Sequence, residues 1–320
     1  MLAIKVSNLV KVFKIKRNKK IVALRGITFS LPKGHILGYL GPNGAGKTTT
    51  IRILTGFLEP DDGYAELLGY DISREFERVK HIINIMSTER TYLIENMTIE
   101  RNLRLFGRLY GFRGLELKRR INELLEFFDL KEHKDKRIYE LSRGLRVRSS
   151  LCRALINYPE VLFLDEPTSG IDVICAEQIR SYIRKISREG TTIFLATHNM
   201  YEAQRLSDYL AFLDRGRIIA YGRTEEILEK FSPLEKVVRI KCDKPRELAK
   251  HLLSEGYEVE EKGGEVRVRL RRGQELNPLL VEIASTARID FISVVEPSLE
   301  EVFKHLYGRG GGHGGEELGR

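Results

Sequence analysis

The chain has 320 residues, of which 42% are hydrophobic and 31% charged, a composition that suits one large globular domain with a smaller one, or two ordinary domains. No segment approaches the roughly 20 apolar residues of a membrane-spanning helix, and residues 1–16 lack the pattern of a cleavable signal, so any membrane association is expected to be peripheral. The formal net charge is +9, but the basic residues are spread along the chain, which favours a solvated or lipid-facing surface over a dedicated nucleic-acid site.

Short apolar runs alternate with helical patterns over the first two thirds of the chain, which predicts an α/β core. The run Ile36–Leu40 is a predicted strand that leads into the segment GPNGAGKTTT, with a helix near Thr48–Leu58. Val161–Leu164 contains only apolar residues and predicts a strand buried on both faces. A helix that ends at the C-cap Gly190 follows, and Thr192–Ala196 is predicted to be the next parallel strand.

Two further regions are distinguished by their patterns. Residues from about 90 to 158 are mostly helical, which predicts a helical insert between two parts of the α/β core. Residues 235–307 show the order βαββαβ and then a last helix, with a hairpin signal at Gly263-Gly264, which predicts a small α+β domain of the ferredoxin-like type. Residues 308–320 are rich in glycine and have nothing to bury, so they are predicted to be disordered.

The segment GPNGAGKT is a complete G-x-x-x-x-G-K-[ST] loop between a predicted strand and a predicted helix. Its glycines let backbone N–H groups turn toward phosphates, and the start of the helix adds positive potential. Lys47 can reach the β- and γ-phosphates, and the Thr48 hydroxyl can bind Mg²⁺. The predicted nucleotide-binding residues of this loop are Gly41, Pro42, Asn43, Gly44, Ala45, Gly46, Lys47, Thr48 and Thr49.

The segment VLFLDEP places Asp165 and Glu166 just after a predicted buried strand. Ligands of parallel α/β sheets bind at the carboxyl ends of the strands. Asp165 is therefore predicted to hold Mg²⁺, and Glu166 to orient and polarise the attacking water, since phosphoryl transfer depends on positioning and charge stabilisation. Together with the phosphate loop, this pair predicts a P-loop NTPase.

Three more segments give the chain a family resemblance. They are LSRGL (Leu141–Leu145), SGID (Ser169–Asp172) and ATHNMYEAQRLSDYLAFLDRGRII, and with the two motifs above they occur in the order typical of the ATP-binding cassette (ABC) family. The resemblance covers residues 1 to about 230. It implies an ABC-type ATPase domain in which two copies close head to tail, with each ATP between the phosphate loop of one copy and the signature loop of the other.

The resemblance also implies roles for single residues. Ser142 and Gly144 match signature residues that face the γ-phosphate bound by the opposite copy, and Asp172 matches the loop that links the two sites. His198 matches a switch histidine that contacts the γ-phosphate, which makes Lys47, Glu166 and His198 the expected catalytic residues. Phe13 falls where the family stacks an aromatic ring on adenine, although a phenylalanine in the core is the alternative.

Two departures from the family pattern stand out. The signature has Arg143 and Leu145 where glycine and glutamine are commonest, but the serine and the second glycine are kept, so the γ-phosphate contact is expected to remain. The glutamine that normally joins Mg²⁺ to the helical insert is replaced by Thr88, and Glu89 is next to it. The hypothesis here is that Glu89 supplies the oxygen ligand to Mg²⁺ or to a water near it.

The ending EPSLEEVFKHLYG resembles the extension of cassettes that power exporters with a separate membrane chain. That resemblance implies an integral membrane subunit and a second copy of this chain as partners, ATP and Mg²⁺ as ligands, and a place on the cytoplasmic face of a membrane. The leading alternative is a non-transport ABC ATPase with a regulatory or nucleic-acid-related role, supported only by the basic charge.

The three cysteines, Cys152, Cys175 and Cys242, have no spacing typical of zinc sites or disulfide frameworks, and inert thiols in a reducing cytosol are expected.

Overall fold

A computed structural model of the chain describes residues 1–14, 20–89, 91–231, 236–270, 274–295 and 298–308. It divides the chain into two compact units, Met1–Thr224 and a second that begins at Glu225. The strands of the first unit are β1 (Leu2–Lys14), β2 (Lys20–Pro32), β3 (Ile36–Leu40), β4 (Asp62–Leu67), β5 (Tyr70–Asp71), β6 (Ile83–Ser87), β7 (Val161–Asp165), β8 (Thr192–Thr197), β9 (Tyr209–Asp214) and β10 (Arg217–Arg223). Its helices are α1 (Lys47–Leu54), α2 (Phe76–Ile82), α3 (Ile99–Leu109), α4 (Gly114–Phe127), α5 (Arg143–Ala154), α6 (Val173–Arg188) and α7 (Met200–Leu206), and α8 (Thr224–Phe231) crosses into the second unit.

Two sheets build the first unit. One has the order β10-β9-β3-β8-β7-β6, in which every neighbouring pair is parallel except β9 and β10. The other is antiparallel, with the order β2-β1-β4-β5. All five residues of β7 are buried, and its apolar residues alternate between two hydrophobic clusters, since Leu162 and Leu164 belong to one and Val161 and Phe163 to the other. The prediction of a central strand buried on both faces is confirmed.

The predicted helical insert is confirmed as α3, α4 and α5. Leu103 of α3, Ile121 of α4 and Leu151 of α5 belong to the same hydrophobic cluster as the β7 residues Leu162 and Leu164. The insert therefore shares its core with one face of the parallel sheet, and it is not an independently packed body.

The helix predicted near Thr48–Leu58 is shorter than expected, because α1 ends at Leu54. Gly56 has a φ of 74°, in the left-handed region that ends helices, and Phe57 and Leu58 donate back to the carbonyl of Arg52. Phe57 is thereby turned out of the helix and is 64% exposed.

The second unit contains β11 (Lys236–Cys242), α9 (Pro245–Ser254), β12 (Glu258–Lys262), β13 (Glu265–Leu270), α10 (Leu276–Thr286), β14 (Ile289–Val295) and α11 (Leu299–Gly308). Its sheet is antiparallel, with the order β12-β13-β11-β14, which confirms the predicted ferredoxin-like fold. Gly263 and Gly264 both have positive φ values, of 63° and 80°, as a two-residue hairpin turn between β12 and β13 requires. The predicted disordered tail, residues 308–320, lies outside the described residues except for its first.

The two faces of this second sheet differ. Val238, Ile240, Val266 and Val268 face the core formed with α9 and α10. On the other face Arg239 donates two hydrogen bonds to Glu265, of 2.8 and 2.9 Å, and Arg267 donates a third of 2.9 Å. These bonds lower the pKa of Glu265 from its ordinary 4.5 to about 2, so the carboxylate stays ionised and fixes the register of β11 against β13.

Over the ranges that the structure describes, no helix combines the length and the apolarity that crossing a membrane requires.

Candidate active site

The phosphate loop joins the end of β3 to the start of α1. Gly46 has a φ of 116°, and a Cβ there would lie 2.8 Å from both the carbonyl oxygen of Ala23 and Cδ2 of Leu24. Only glycine fits this turn, which lets the chain enter α1 directly at Lys47. The buried ammonium of Lys47 donates to the carbonyl of Gly41 at 2.6 Å. The loop thus holds its own lysine in place at the mouth of the site.

Asp165, the last residue of β7, lies directly across from this loop. Its Oδ2 accepts a hydrogen bond of 3.1 Å from Oγ1 of Thr48. Burial raises the pKa of Asp165 above its ordinary value, and the charges of Glu166 and Glu89 raise it further. A cation bound beside Asp165 would therefore favour the ionised form of its carboxyl group.

Glu166 has an unusual backbone for a glutamate, with a φ of 52°. Its N–H donates to the carbonyl of Ala196 at 2.9 Å, and its carbonyl accepts from Oγ1 of Thr88 at 2.9 Å. Its carboxylate lies 2.8 Å from Nδ1 of His198 and 3.6 Å from Nζ of Lys47. Neighbouring strand ends thus hold a strained residue so that its side chain points toward the phosphate loop, an arrangement often found at catalytic sites.

Most of the residues predicted for one nucleotide site lie around a single cavity of about 600 Å³. Glu89 is among them, beside Thr48 and Asp165. The remaining predicted residues in the lining are Pro42, Asn43, Gly44, Gly46, Lys47, Thr49 and Glu166. Gly41 and Ala45 belong to the same loop but are buried and do not line the cavity. Phe13 does not line the cavity either, but its partner in the β1–β2 register, Ile21, lines it.

The cavity also contains residues that the sequence analysis missed. They are Ile21, Val22, Ala23, Arg25, Ser87 and Arg215. Arg25 and Arg215 are joined by a 3.1 Å hydrogen bond from Nε of Arg25 to the carbonyl of Arg215, and together they place two basic residues in the lining. Ser87 pairs with Asp165 in the parallel register of β6 and β7, a proximity that the alignment of strand ends could have indicated.

Ser142, Gly144 and Asp172 do not line this cavity. Ser142 and Asp172 are the N-caps of α5 and α6, where their side chains accept hydrogen bonds from the backbone N–H groups of Leu145 and Cys175. A Cβ on Gly144 would lie 2.8 Å from Sγ of Cys175, so the first turns of the two helices are in close contact. These three residues form a second surface, here called the signature surface.

Apolar side chains border the signature surface. Val173 and Ile174, which follow Asp172, are 78% and 75% exposed. Two adjacent large apolar residues with this exposure are unusual in the first turn of a helix whose other isoleucines are buried. This part of the surface is therefore suited to contact with another protein surface.

Comparisons with known proteins agree on one family. A family model described as ABC transporter matches residues 24–169, and one described as the C-terminal domain of DrrA1-3-like ATP-binding proteins matches residues 222–307. The chain is 33% identical to the daunorubicin/doxorubicin resistance ATP-binding protein DrrA of Streptomyces peucetius, over 96% of this chain and 92% of that protein. It is 34% identical to the Nod factor export ATP-binding protein I of Rhizobium sp. (strain N33), over 90% and 93% of the two chains.

A solved structure supports the same relationship. The ADP conformation of MJ1267, an ATP-binding cassette of an ABC transporter, superimposes with a TM-score of 0.64 at 27% identity, covering 72% of this chain and 96% of that one.

Two alanine substitutions in the phosphate loop should have different effects. Gly44 and Gly46 both have positive φ, so each Gly→Ala change should lower the free energy of unfolding by about 1–2 kcal/mol. Only Gly46→Ala also collides with backbone and side-chain atoms of β2, whereas a Cβ at Gly44 meets open space. We expect Gly46→Ala to abolish binding of a fluorescent ATP analogue, and Gly44→Ala to retain it within about tenfold. Equal losses in the two variants would contradict this account of the loop.

Proposed function

Because the chain belongs to the ATP-binding proteins of ABC transporters, we propose that it hydrolyses ATP to power an export system, as two head-to-tail copies bound to a separate membrane subunit. ATP hydrolysis is supported by the position of the Glu166 carboxylate beside the phosphate loop. Its oxygens lie 2.8 Å from Nδ1 of His198 and 3.6 Å from Nζ of Lys47. The names of the relatives, which concern drug resistance and Nod factor export, support export as the direction.

The proposed reaction is an in-line attack of water on the γ-phosphorus. The water oxygen forms a bond to phosphorus, the bond to the bridging oxygen breaks, and ADP leaves with the electron pair. Glu166 accepts the proton of the water, and His198 orients the Glu166 carboxylate through their contact. Lys47 exchanges its bonds to the loop carbonyls for the β- and γ-phosphate oxygens, which releases Glu166 from its ion pair. ATP binding thereby frees the carboxylate that the reaction uses.

Thr48, Asp165 and Glu89 suit a magnesium ion held together with the phosphates. All three line the cavity, where burial raises the pKa of Asp165 and the negative charges of Glu166 and Glu89 raise it further. No group of three or more His, Cys, Asp or Glu side chains among the described residues is placed to hold a metal ion alone. That fits Mg²⁺, which takes one or two carboxylates and completes its shell with phosphate oxygens and water. When bound, Mg²⁺ supplies positive charge to the phosphate oxygens.

Removal of the Glu89 carboxylate tests this assignment. We expect Glu89→Ala to raise the Mg²⁺ concentration that gives half-maximal ATP turnover by about tenfold, because one oxygen ligand is lost near the ion. The matched control is Glu116→Ala, which removes the same charge from α4, outside the cavity lining. If Glu89→Ala leaves both the turnover and its Mg²⁺ dependence unchanged, Glu89 does not serve the metal.

The second copy is proposed because the predicted nucleotide contacts lie on two surfaces of one chain. Ser142 and Gly144 belong to the signature surface, whereas Lys47 and Glu166 line the cavity. A head-to-tail pair would bring the signature surface of each copy to the cavity of the other. The exposed Val173 and Ile174 would then be covered at the interface between the copies.

Mixing two inactive variants tests both the enzyme and the pair. Lys47→Ala removes the phosphate-binding ammonium, and Ser142→Asp keeps a good N-cap for α5 while placing a carboxylate opposite the γ-phosphate. Each variant alone should hydrolyse ATP poorly. In an equal mixture about half of the pairs are mixed, and each mixed pair has one intact site, so about a quarter of the wild-type turnover should return. If each copy hydrolysed ATP on its own, mixing the two inactive variants would restore no activity.

A second cavity suggests where a membrane subunit docks. It has a volume of about 320 Å³ and lies between the helical insert and the α/β part. Phe57 and Tyr92 stack at its edge with ring centroids 6.4 Å apart, and Phe106 and Tyr110, at the end of α3, also line it. Its two charged lining residues are Lys80 and Arg153, and burial lowers the pKa of Arg153 to about 10.

These features indicate what kind of partner segment the cavity can bind. Lys80 already pairs with Glu77, and Arg153 already donates to the side chain of Asn84. The aromatic lining therefore fits a helix that presents apolar side chains. We assign that helix to the cytoplasmic side of the membrane subunit. Movement of the helical insert on ATP binding would then be passed to the membrane subunit through α3 and α5, and the chain would act on the cytoplasmic face of the membrane.

A further inference from the structure

The turn between α3 and α4 leaves two leucines exposed. Leu109, the last residue of α3, is 71% exposed, and Leu115, the second residue of α4, is 85% exposed. Among the large apolar residues that the structure describes, only Met1 is more exposed than Leu115. Single exposed apolar residues are ordinary, but two at the ends of one short turn indicate a contact surface. The segment 108–118, which contains both leucines, is here called the hairpin tip.

The exposure of these leucines does not come from loose packing of the turn. The N–H of Gly111 donates to the carbonyl of Arg108, and the N–H of Phe112 to the carbonyl of Gly107, both at 3.0 Å, which is the Schellman arrangement of a helix end. Gly111 has the left-handed φ, of 93°, that this arrangement requires. A Cβ on Gly107 would lie 2.3 Å from Cδ1 of the buried Leu117, so α3 and α4 are in close contact. A well-packed turn therefore holds the two leucines outward.

The hairpin tip is also positively charged. It contains three basic residues, Arg108, Arg113 and Lys118, and one acidic residue, Glu116. The three basic residues are exposed, and none of them forms an ion pair with another residue that the structure describes. Two other arginines of α3 and α4 are paired with glutamates of their own helices, at 2.6 and 2.9 Å. Lys118 lies one turn of α4 after Leu115, so a free cation and an exposed leucine share one side of the helix.

The hairpin tip lies beside the aromatic cavity to which the membrane subunit is proposed to bind. Phe106 and Tyr110 line that cavity, and Tyr110, the C-cap of α3, is the chain neighbour of Leu109. A segment next to the contact with a membrane subunit faces the membrane. This placement rests on the proposed function, whereas the exposure and the charge of the tip do not depend on it.

We propose that the hairpin tip is a lipid-contact site that binds the anionic headgroups of a membrane surface. Arg108, Arg113 and Lys118 bind lipid phosphates, while Leu109 and Leu115 enter the boundary between headgroups and acyl chains. The leucines favour a lipid surface over nucleic acid, because the backbone of a duplex offers phosphates without an apolar layer behind them. The contact holds the helical insert at the membrane, beside the subunit that it moves.

A single indole can test this contact, because the chain has no tryptophan. The emission of Leu115→Trp in the purified full chain, measured without ATP, should move to shorter wavelengths with vesicles of equal parts phosphatidylcholine and phosphatidylglycerol. Brominated acyl chains should quench it. Vesicles of phosphatidylcholine alone should give little shift, since the basic residues then have no anionic partner. Leu253→Trp, at a 54% exposed position of α9, is the control and should not respond.

Removal of the basic residues tests the contribution of charge. Arg108→Gln, Arg113→Gln and Lys118→Gln, combined with Leu115→Trp, should raise the lipid concentration at half-maximal shift by at least about tenfold. The matched control removes three exposed basic residues of the second unit and should change this concentration by less than about twofold. Its substitutions are Arg246→Gln, Lys250→Gln and Lys262→Gln. Because all these side chains are exposed, the thermal midpoints of both variants should stay close to that of the wild type.

Each result decides the proposal. No shift of Leu115→Trp with the anionic vesicles, or an equal shift of Leu253→Trp, would overturn the lipid contact. Binding to double-stranded DNA without binding to vesicles would assign the basic residues to nucleic acid instead. Release of the membrane subunit by Leu115→Ala in detergent would show that the tip touches protein and not lipid.

The vesicle experiment uses neither ATP nor the membrane subunit, so failure of the lipid contact and failure of the proposed export function are seen separately. A blue shift with anionic vesicles that weakens when the three basic residues of the hairpin tip are removed, and persists in the matched control, is the result that supports the proposal.

Discussion

The placement of the Glu166 carboxylate is the constraint on which the rest of the molecule depends. It follows from a strand, β7, that is buried on both faces and held in parallel register by β6 and β8, so the position of its end is fixed by the whole core. The left-handed backbone of Glu166 then turns the side chain toward the phosphate loop, and the hydrogen bond to Ala196 maintains this costly conformation. Lys47 and His198 both contact the carboxylate, and a phosphate would compete with the carboxylate for Lys47.

Much of this could be predicted from the sequence, because local chemistry specifies it. An apolar run before a glycine-rich loop indicated β3 and the start of α1, and Gly263-Gly264 indicated the hairpin of the ferredoxin-like unit. The predicted end of α1 was too late, because Leu58 continues the apolar pattern while Gly56 ends the helix. Arg25 and Arg215 were missed because they come from distant parts of the chain, and no local pattern indicates that they meet at the cavity.

The chain divides its functional groups among three places in the first unit. The cavity contains the groups proposed to bind phosphate and activate water, the signature surface contains groups that do not line that cavity, and the aromatic cavity lies beside the helical insert. In the proposed function a second copy supplies the signature surface and a membrane subunit fills the aromatic cavity, and ATP binding at one place would be converted into movement at another through α3 and α5.

The most direct test of this account is to identify what the chain binds in its native membrane. A Glu166→Gln variant, which should retain ATP, would be extracted in mild detergent with and without ATP, beside the same variant carrying Phe57→Ala and Tyr92→Ala and a control carrying Leu115→Ala at an exposed position of α4. The account predicts that a multi-span apolar protein co-purifies in equal amount, is lost when Phe57 and Tyr92 are changed, and is kept by the control. Recovery of the chain only in the soluble fraction, alone or with nucleic acid, would contradict it and favour a regulatory ATPase.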